Sequence, residues 1–380
     1  MRKTINIGDL GTIITGKTPP TTNKNYYGDY AVFIKPTDIS EHSKYTYETE
    51  EMYSKLAAEK YESSLIPKGA ICVPCIGTIG TKMTMAPCDC YTNQSINSIV
   101  CNDRYDNEYV YYLIKNFLPG LKSYNLGTAS GREYVSKSNF EKIELVAEQD
   151  KTIQKKIGEF LSRYDSLIEN YQKQIKLLEE AAQRLYKEWF IDLRFPGHEN
   201  RNIVDGVPEG WGKTKVGEIA PIITGKKDAN FGTPDGEYPF FTCSQEPIKA
   251  PSFSFDCAAV LLAGNGDFNV KLYRGKFEAY QRTYVLSPYC AQHLYFLYYT
   301  ISANMTKLAA GSSGSTIKFL TKGMIDGINL NIPNDEILRS FNKKVEPIQS
   351  SRESLQSQLR LLTEARDRLL PKLMGGEITV

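Results

Sequence analysis

The chain of 380 residues carries the same design twice, and this duplication limits the folds open to it. Residues 7–17 align with 216–226 at six identical positions of eleven, and both segments end in Ile-Ile-Thr-Gly-Lys. Because further matches follow in the same order, we interpret the chain as an internal repeat of one unit. The further aligned pairs are 134–145 with 319–330 and 177–185 with 361–369.

Each copy begins with a globular part that is rich in turn residues and short β-type runs such as Ala31–Ile34. Amphipathic stretches such as Tyr109–Phe117 have the spacing of short helices. Gly/Ser segments at 127–131 and 311–314 precede the second pair of aligned segments. This mixture predicts the α+β class, with two similar mixed α/β domains.

Each copy closes with a segment of heptad spacing. Apolar residues recur in alternating steps of three and four from Ile157 to Leu185, and again from Leu338 to Leu373. A seam of this length is typical of a coiled coil, and one chain with two such helices can pair them antiparallel. Two ordinary core helices are the alternative interpretation. Polar residues interrupt the seam at Gln174, Arg352 and Arg366.

The alternation of patterns predicts four segments in chain order, with a pseudo-two-fold repeat. Pro347 lies inside the second helical run, where it should kink the helix or mark its start. The predicted segments are a first globular domain at 1–147, a central helix at 148–192, a second globular domain at 193–334 and a C-terminal helix at 335–380.

The charge balance is nearly neutral, since 46 Lys and Arg face 44 Asp and Glu for a net charge of +2. This excludes a polybasic coat that holds phosphates by bulk attraction, but it leaves room for a local basic groove. Asp9 interrupts the N-terminal segment before an apolar run of signal-peptide length, and no apolar run reaches the ~20 residues of a membrane helix. We therefore expect a cytoplasmic protein without a membrane partner.

The segment Gly11–Thr18 matches the phosphate-loop pattern G-x-x-x-x-G-K-[ST]. That loop works by opening a helix, whereas here Pro19 and Pro20 follow at once, and the second copy has Ala220 and Lys227 at the key positions. An ATPase remains only a minor alternative. What the copies share is a glycine turn suited to phosphate or base contact. The side chains that this turn presents are Thr15, Lys17, Thr224 and Lys226.

Four cysteines lie close together in the first copy, as a C-x-x-C pair and a C-x-C pair. Zinc binding is one interpretation, but the spacing is tight and the second copy has no such set, so small buried strand residues are favoured and no metal is expected. The chain also shows no hydrolase, metalloprotease, dinucleotide or methyltransferase motif, so we expect a binding protein rather than an enzyme. These cysteines are Cys72, Cys75, Cys88 and Cys90.

The order of these features resembles the DNA specificity (S) subunit of type I restriction–modification systems. Each half opens with a Gly-Asp/Glu-hydrophobic…Thr-Gly-Lys segment and closes with a Ser/Thr-Lys…Ile-x-Leu strand before a long helix. The openings Val207–Trp211 and Asn93–Ile96 are also similar to that family. The resemblance covers essentially the whole chain, although the first copy lacks the Pro-x-Gly-Trp opening.

The resemblance implies two target-recognition domains that read the halves of an asymmetric, bipartite double-stranded DNA target. The long helices would be spacers in an antiparallel coiled coil. Two methyltransferase (modification) subunits would dock and methylate adenine with S-adenosylmethionine in their own sites. Restriction/translocase subunits would add ATP and Mg, and this chain would bind no cofactor itself. Open alternatives are a related methyltransferase-only or type II-like bipartite system, and a coiled-coil scaffold that does not bind DNA.

Base reading requires Arg or Lys for guanine and Asn or Gln for adenine, on loops that also contact phosphates. In the first domain the additional candidates are Asn93, Gln94 and Arg132. In the second they are Lys227, Gln281, Arg282 and Lys318. Apolar residues at the helix ends are candidate docking points for the methyltransferase subunits, with core packing as the stronger alternative. They are Trp189, Phe190, Leu373 and Met374.

Overall fold

The structure is a computed structural model that describes residues 1–127, 131–312 and 318–380. The predicted Gly/Ser segments therefore lie partly outside the described residues, at 128–130 and 313–317. The chain forms two compact units: Met1–Gln174 with Leu355–Val380, and Ile175–Ser354. Across the described residues, no helix combines the length and the apolar character needed to cross a membrane.

The first unit is a mixed α/β fold of short strands and helices, as the turn-rich sequence predicts. Its described strands are β1 (Arg2–Asn6), β2 (Gly11–Thr15), β3 (Tyr27–Gly28), β4 (Ala31–Ile34), β5 (Met52–Tyr53), β6 (Ile71–Pro74), β7 (Thr84–Met85), β8 (Tyr91–Thr92), β9 (Ile96–Cys101) and β10 (Glu144–Glu148). Its described helices are α1 (Lys55–Lys60), α2 (Asn107–Phe117), α3 (Lys137–Glu141) and the first part of α4 (Lys151–Tyr186).

Three sheets organise the first unit within the described residues. One has the strand order β2-β9-β6-β7 with antiparallel pairing, and another has the order β3-β5-β4-β8 with β4 and β8 parallel. The third pairs β1 with β10, so that Ile5 lies opposite Leu145. The core between them is apolar and aromatic, with Tyr109, Tyr112 and Phe140 almost completely buried.

The second unit repeats this architecture with longer strands. Its described strands are β11 (Ile203–Val204), β12 (Val207–Pro208), β13 (Gly212–Lys215), β14 (Ile222–Thr224), β15 (Tyr238–Phe241), β16 (Ile248–Ala250), β17 (Phe255–Ala263), β18 (Val270–Ala279), β19 (Thr283–Leu286) and β20 (Asn329–Ile332). Its described helices are α5 (Val216–Ile219), α6 (Leu294–Ala310), α7 (Lys322–Asp326) and the first part of α8 (Asp335–Gly375).

The strands of the second unit form a sheet of order β14-β19-β17-β18-β15-β16, with β15 and β18 parallel. As in the first unit, the strand that precedes the repeated segment pairs with the strand before the long helix, here β13 with β20. The core contains many aromatic rings; those of Phe190 and Phe341 lie 4.8 Å apart. Full burial of one such side chain stabilises the fold by about 2–3 kcal/mol.

The two long helices begin at matching caps. The side chain of Asp150 accepts a hydrogen bond from the Thr152 amide at 2.8 Å, and that of Asn334 accepts one from the Ile337 amide at 3.1 Å. Such caps satisfy amides that have no partner within the helix. The helix α4 runs for 36 residues and α8 for 41. Pro347 does not mark a start, because α8 begins at Asp335 and continues through it.

The long helices pack against each other inside each unit. In the first unit Arg366 of α8 contacts Asp165 of α4, and in the second Arg352 of α8 contacts Glu179 of α4. Asp165 precedes Glu179 on α4, whereas its partner Arg366 follows Arg352 on α8. This reversed order of the contacts shows that the helices run antiparallel. The prediction of two similar α/β regions with two long paired helices is confirmed.

Candidate nucleic-acid interface

In the first unit, the repeated Ile-Ile-Thr-Gly-Lys segment ends a strand that lies against a tight turn. Thr15 is the last residue of β2, opposite Asn97 of β9, and its hydroxyl donates to the Asn97 side-chain oxygen at 2.7 Å. The next residue, Gly16, is so close to the turn that a Cβ atom there would overlap the Thr92 carbonyl oxygen. Only glycine fits this approach, which explains its place in the motif.

The predicted side chains gather around this turn, which comprises residues 92–96. The Lys17 ammonium donates to the Ser63 hydroxyl at 3.2 Å, and the Thr18 hydroxyl donates to the Gln94 side chain. Asn93 is held by its own turn, because its side-chain oxygen accepts the Ser95 amide at 3.0 Å. The structure therefore brings Thr15, Lys17, Asn93 and Gln94 together.

Arg132 lies on a neighbouring segment rather than on the turn itself. The Cys75 amide donates to the Ser95 carbonyl at 2.7 Å, and the Val135 amide donates to the Cys75 carbonyl at 2.8 Å. The adjacent Glu133 carbonyl accepts the Gly77 amide at 2.9 Å. Arg132 is exposed and immediately precedes Glu133 in this chain of contacts.

The second unit builds the same arrangement at its own repeated motif. The Gly225 amide donates to the Thr283 carbonyl at 3.2 Å, and a Cβ atom on Gly225 would overlap the Ala279 carbonyl oxygen. The Gln281 amide donates to the Lys227 carbonyl at 2.9 Å. The Lys227 ammonium lies 4.3 Å from the centre of the Phe231 ring, and this cation–π contact holds the lysine side chain.

A groove of about 420 Å³ opens beside the second turn. It brings three predicted residues together, Thr224, Gln281 and Arg282, whereas Lys226 and Lys318 are exposed outside its lining. No motif in the sequence points to the other lining residues, because their positions depend on strand pairing. These residues are Gly264, Tyr284, Phe319, Leu320, Thr321 and Lys322.

The two turns share one backbone frame, which we call the turn frame: residues 92–96 and 279–283 with their backbone hydrogen bonds. The Asn93 amide donates to the Ile34 carbonyl at 3.1 Å, and the Tyr280 amide donates to the Phe241 carbonyl at 3.0 Å. The Gly264 amide donates to the Arg282 carbonyl at 2.8 Å, matching the bond from Cys75 to Ser95. This correspondence places Gln94 and Gln281 at the same position of the frame.

The frames present the chemistry that nucleic acids require. Gln94 and Gln281 are exposed amides that can both donate to and accept from a base edge. Lys17, Lys226 and Arg282 are exposed cations suited to phosphate or guanine. The amides and cations stand on backbone that sheet hydrogen bonds hold in place. A rigid support of this kind limits the entropy lost on binding.

The phosphate-loop interpretation of residues 11–18 is wrong. Gly11–Thr15 is a strand paired with β9 along its whole length, not a loop. The first helical turn that follows is the short 3-10 turn Lys24–Tyr26, well beyond Lys17. The amides of this segment therefore do not form the helix N-terminus that cradles phosphates in such loops.

The cysteine cluster consists mainly of core side chains. Cys72, Cys75 and Cys90 are buried, whereas Cys88 is exposed. Burial raises the pKa of the Cys72 and Cys75 thiols to about 12 each, so both are protonated at neutral pH. In the described part of the chain, no three metal-ligating side chains come together.

The four candidate docking residues lie inside the units. Trp189 and Phe190, on a π-helical turn at Lys187–Ile191, are 5% and 6% exposed and pack in the aromatic core of the second unit. Leu373 and Met374 near the end of α8 are 0% and 4% exposed, in the core of the first unit. Core packing accounts for their apolar character, and docking through them stays a prediction.

Comparison with known proteins places this geometry in context. The family described as "Type I restriction modification DNA specificity domain" matches residues 2–180 and 208–351. The type I restriction enzyme MjaIX specificity subunit of Methanocaldococcus jannaschii is 27% identical, over 98% of this chain and 93% of that protein. The EcoDI specificity subunit of Escherichia coli is 38% identical over 177 residues, which cover 46% of this chain and only 40% of that relative.

A solved structure has a similar fold along the whole chain. The S subunit of a type I restriction–modification system from M. genitalium superimposes with a TM-score of 0.62, covering 98% of this chain and 96% of that one. Its sequence identity is 17%, so this similarity concerns the fold.

Proposed function

The chain belongs to the type I restriction–modification DNA specificity family, as a non-catalytic specificity subunit, and on that premise we propose that it reads a bipartite, asymmetric double-stranded DNA target. Each turn frame would read one half of the target. We accordingly assign residues 1–147 and 193–334 as target-recognition domains, and 148–192 and 335–380 as spacer helices.

The observation that carries this proposal is the turn frame itself, present in both units with different side chains. The first frame presents Asn93, Gln94 and Ser95, and the second presents Tyr280, Gln281 and Arg282. Matching backbone hydrogen bonds with different side-chain donors and acceptors suit a protein that reads two unlike half-sites. Arg282 fits guanine, and the glutamine amides fit adenine.

The remaining predicted residues would hold the phosphate backbone. Lys17, Lys226, Lys227 and Lys318 flank the turns, Thr15 and Thr224 end the strands that lead into them, and Arg132 lies on the neighbouring segment. Phosphate contacts fix the orientation of a protein on the duplex without reading its sequence. Because the net charge is only +2, we propose that the isolated chain binds DNA weakly and that partner subunits make many of the contacts to the DNA phosphates.

Catalysis would reside in partner subunits. We propose that two methyltransferase subunits dock on the chain and methylate adenine with S-adenosylmethionine bound in their own sites. Restriction/translocase subunits, with ATP and Mg, would cleave unmodified DNA in the cytoplasm. A methyltransferase-only or type II-like system would use this chain in the same way.

The long helices would set the distance between half-sites. At ~1.5 Å per residue, α4 spans about 54 Å and α8 about 60 Å, which bounds the gap to under ~18 base pairs. Inserting or removing helical residues should change the unread gap and leave the half-site bases unchanged. Methylation mapping of such variants tests this; altered half-site bases at constant spacing would contradict it.

Methylome sequencing of a host with and without the chain tests the central proposal. A bipartite motif with adenine methylated in both halves should appear only with the chain. Gln94→Ala should relax one half of that motif, and Gln281→Ala the other. Lys344→Glu, at an exposed position on α8, serves as the matched control and should leave the motif unchanged. If neither glutamine variant changes the motif, the turn frames do not read the target.

A coiled-coil scaffold without DNA contact makes the opposite prediction. The chain would purify with partners, yet the purified complex would shift methylation-mapped and random duplexes equally. Selective retardation of the mapped duplex at moderate salt contradicts the scaffold.

A further inference from the structure

The seam between the long helices contains charged residues of opposite sign on opposite helices. Asp165 and Glu179 lie on α4, and Arg366 and Arg352 lie on α8. The Arg366 guanidinium contacts the Asp165 carboxylate at 2.6 Å, with side chains only 7% and 5% exposed. Arg352 pairs with Glu179, whose side chains are 10% and 21% exposed.

These ion pairs are surrounded by tyrosines of the globular parts. The Tyr112 hydroxyl donates to the second oxygen of Asp165 within the first unit. In the second unit Arg352 donates to the Tyr298 hydroxyl at 3.1 Å, and that hydroxyl donates to Glu179 at 3.3 Å. The charges are therefore held by directed hydrogen bonds in a seam that is otherwise largely apolar.

Stability alone does not explain such pairs. Replacing a buried ion pair with well-packed neutral residues is often neutral or stabilising, whereas leaving one charge without its partner is costly. Polar residues in the seam of a coiled coil can select one partner helix over another, and a buried ion pair is able to act in the same way.

The internal repeat shows what the pairs discriminate against. By the alignment of 177–185 with 361–369, Asp165 corresponds to Gln349 and Arg366 to Ala182; Glu179 and Arg352 correspond to Thr363 and Ile168. If α4 paired with α4 of a second copy in the same register, Asp165 would face Ala182 and Glu179 would face Ile168. If α8 paired with α8, Arg366 would face Gln349 and Arg352 would face Thr363. Each like-with-like pairing would leave its seam charges without an opposite charge.

We propose that the two ion pairs are a pairing code, which makes α4 select α8 and reject a second copy of itself. The two helices are copies of one ancestral pattern, so their apolar seams alone would permit either pairing. Placing acids on one helix and arginines on the other removes that ambiguity. The second unit's pair is the better one to test, because the half-buried Lys115 adds a further positive charge near Asp165 in the first unit.

If the chain reads DNA as proposed above, the pairing code also determines which half-sites are combined in one target. A chain whose helices close only on each other always joins its own two turn frames. The target is then one fixed asymmetric combination of half-sites. Pairing between like helices would instead join two identical frames and produce palindromic targets.

Charge reversal in the full chain tests the code. Glu179→Arg places two arginines in the seam, and Arg352→Glu places two glutamates there. Each single variant should melt about 10 °C lower than the unaltered chain or be recovered mostly insoluble. The double variant Glu179→Arg/Arg352→Glu restores an opposite pair and should remain a monomer that melts within a few degrees of the unaltered chain.

The decisive arm co-expresses the two single variants with different affinity tags. If the two chains exchange α8, each of the two helix pairs in the resulting dimer has an arginine opposite a glutamate. The tagged chains should then co-purify in a one-to-one ratio, as a species with twice the mass of a single chain. Glu180→Arg with Lys344→Glu, at exposed positions on the same helices, is the matched control and should give no mixed dimer.

Oligomeric state is measured without DNA, so this result is independent of the proposed target reading. A mixed dimer with the seam variants and none with the control supports the code. The code is overturned if the seam variants fail to exchange, if the control pair dimerises equally, or if the double reversal is as unstable as either single variant.

Discussion

The two units hold their turns with several corresponding backbone hydrogen bonds but present different side chains on them. Between Gly16 and Ile96 in one unit, and between Gly225 and Thr283 in the other, the amide-to-carbonyl distance is 3.2 Å in both cases. On this common support, Asn97 in the first unit corresponds to Tyr284 in the second. Sheet geometry thus determines where the turn lies, and the side chains remain free to differ.

A second difference lies where each globular part meets the helix seam. In the first unit the Tyr112 hydroxyl donates to Asp165, which Arg366 neutralises. In the second unit Gln349 donates to the Tyr299 hydroxyl, at the position that corresponds to Asp165. The hydroxyl of a buried tyrosine can therefore find its hydrogen-bond partner in an ion pair or in a neutral amide. Only the ion pair requires an opposite charge on the other helix.

The largest expected effect comes from removing one partner of the buried ion pair between Asp165 and Arg366. Arg366→Ala removes the guanidinium that contacts the buried Asp165 carboxylate and should lower the free energy of unfolding by about 3–5 kcal/mol. Adding Asp165→Gln gives the first unit the glutamine and alanine that the repeat has at the corresponding positions, Gln349 and Ala182. The double variant should therefore recover most of the lost stability. Urea denaturation measures both variants. A double variant as unstable as the single one would show that the two sites are not equivalent.

Breaking the shared backbone frame should have the next largest effect. An alanine at Gly225 would overlap the Ala279 carbonyl and should cost about 2–3 kcal/mol, as overpacking does in well-packed regions. Gly16→Ala should cost a similar amount in the first unit. Gly212→Ala is the control, because nothing lies within 4 Å of a Cβ at that exposed position. Equal melting temperatures for all three variants would contradict the tight approach of strand and turn.

Exchanging side chains on the intact frame should change specificity and leave stability nearly unchanged. Arg282→Ser gives the second frame the residue of the first, and should cost about 1–3 kcal/mol of discrimination at one base pair of one half-site. Methylation mapping of the variant complex measures this. Ser95→Arg is the matched change in the first frame and should alter only the other half-site. Changes in both halves from either substitution would sink the assignment of one half-site to each frame.

The smallest effect concerns Cys72 and Cys75 of the first unit, which are buried in β6 and directly after it. Since burial raises the pKa of the Cys72 and Cys75 thiols to about 12, neither should react with iodoacetamide at pH 7 while the chain is folded. The exposed Cys290 of the second unit should react. Mass spectrometry of the labelled peptides distinguishes them, and rapid labelling of Cys72 in folded protein would contradict its burial.

The raised pKa values of these thiols also predict that the stability of the fold decreases at alkaline pH. A buried thiol whose pKa lies above the ordinary value of 9.0 contributes fully below pH 9, because both folded and unfolded chains are then protonated. As the pH rises from 9 towards 12, the unfolded chain ionises first and stability falls. Replacing Cys72 with alanine should reduce that alkaline loss in denaturant titrations.

Sequence alone predicted the duplication, the α+β class and the long helices, because these depend on periodic and local signals. Heptad spacing identified the seam, and the caps that the structure shows, Asp150 and Asn334, lie close to the predicted helix starts at 148 and 335. It also singled out Gln94 and Gln281, but as separate candidates. Their equivalence was not visible, because the flanking residues differ and only strand pairing aligns the two turns.

What the sequence by itself determined about this protein is a pattern: two copies, each with a glycine turn after a strand and a long amphipathic helix. Only the tertiary structure decided which parts of that pattern meet. It showed that the apparent phosphate loop is a strand, that Trp189 and Leu373 are core residues, and that Arg352 and Arg366 face carboxylates. The physical reason is that periodicity reports which face of an element is buried. It does not report what lies opposite that face, since the partner is distant in the chain.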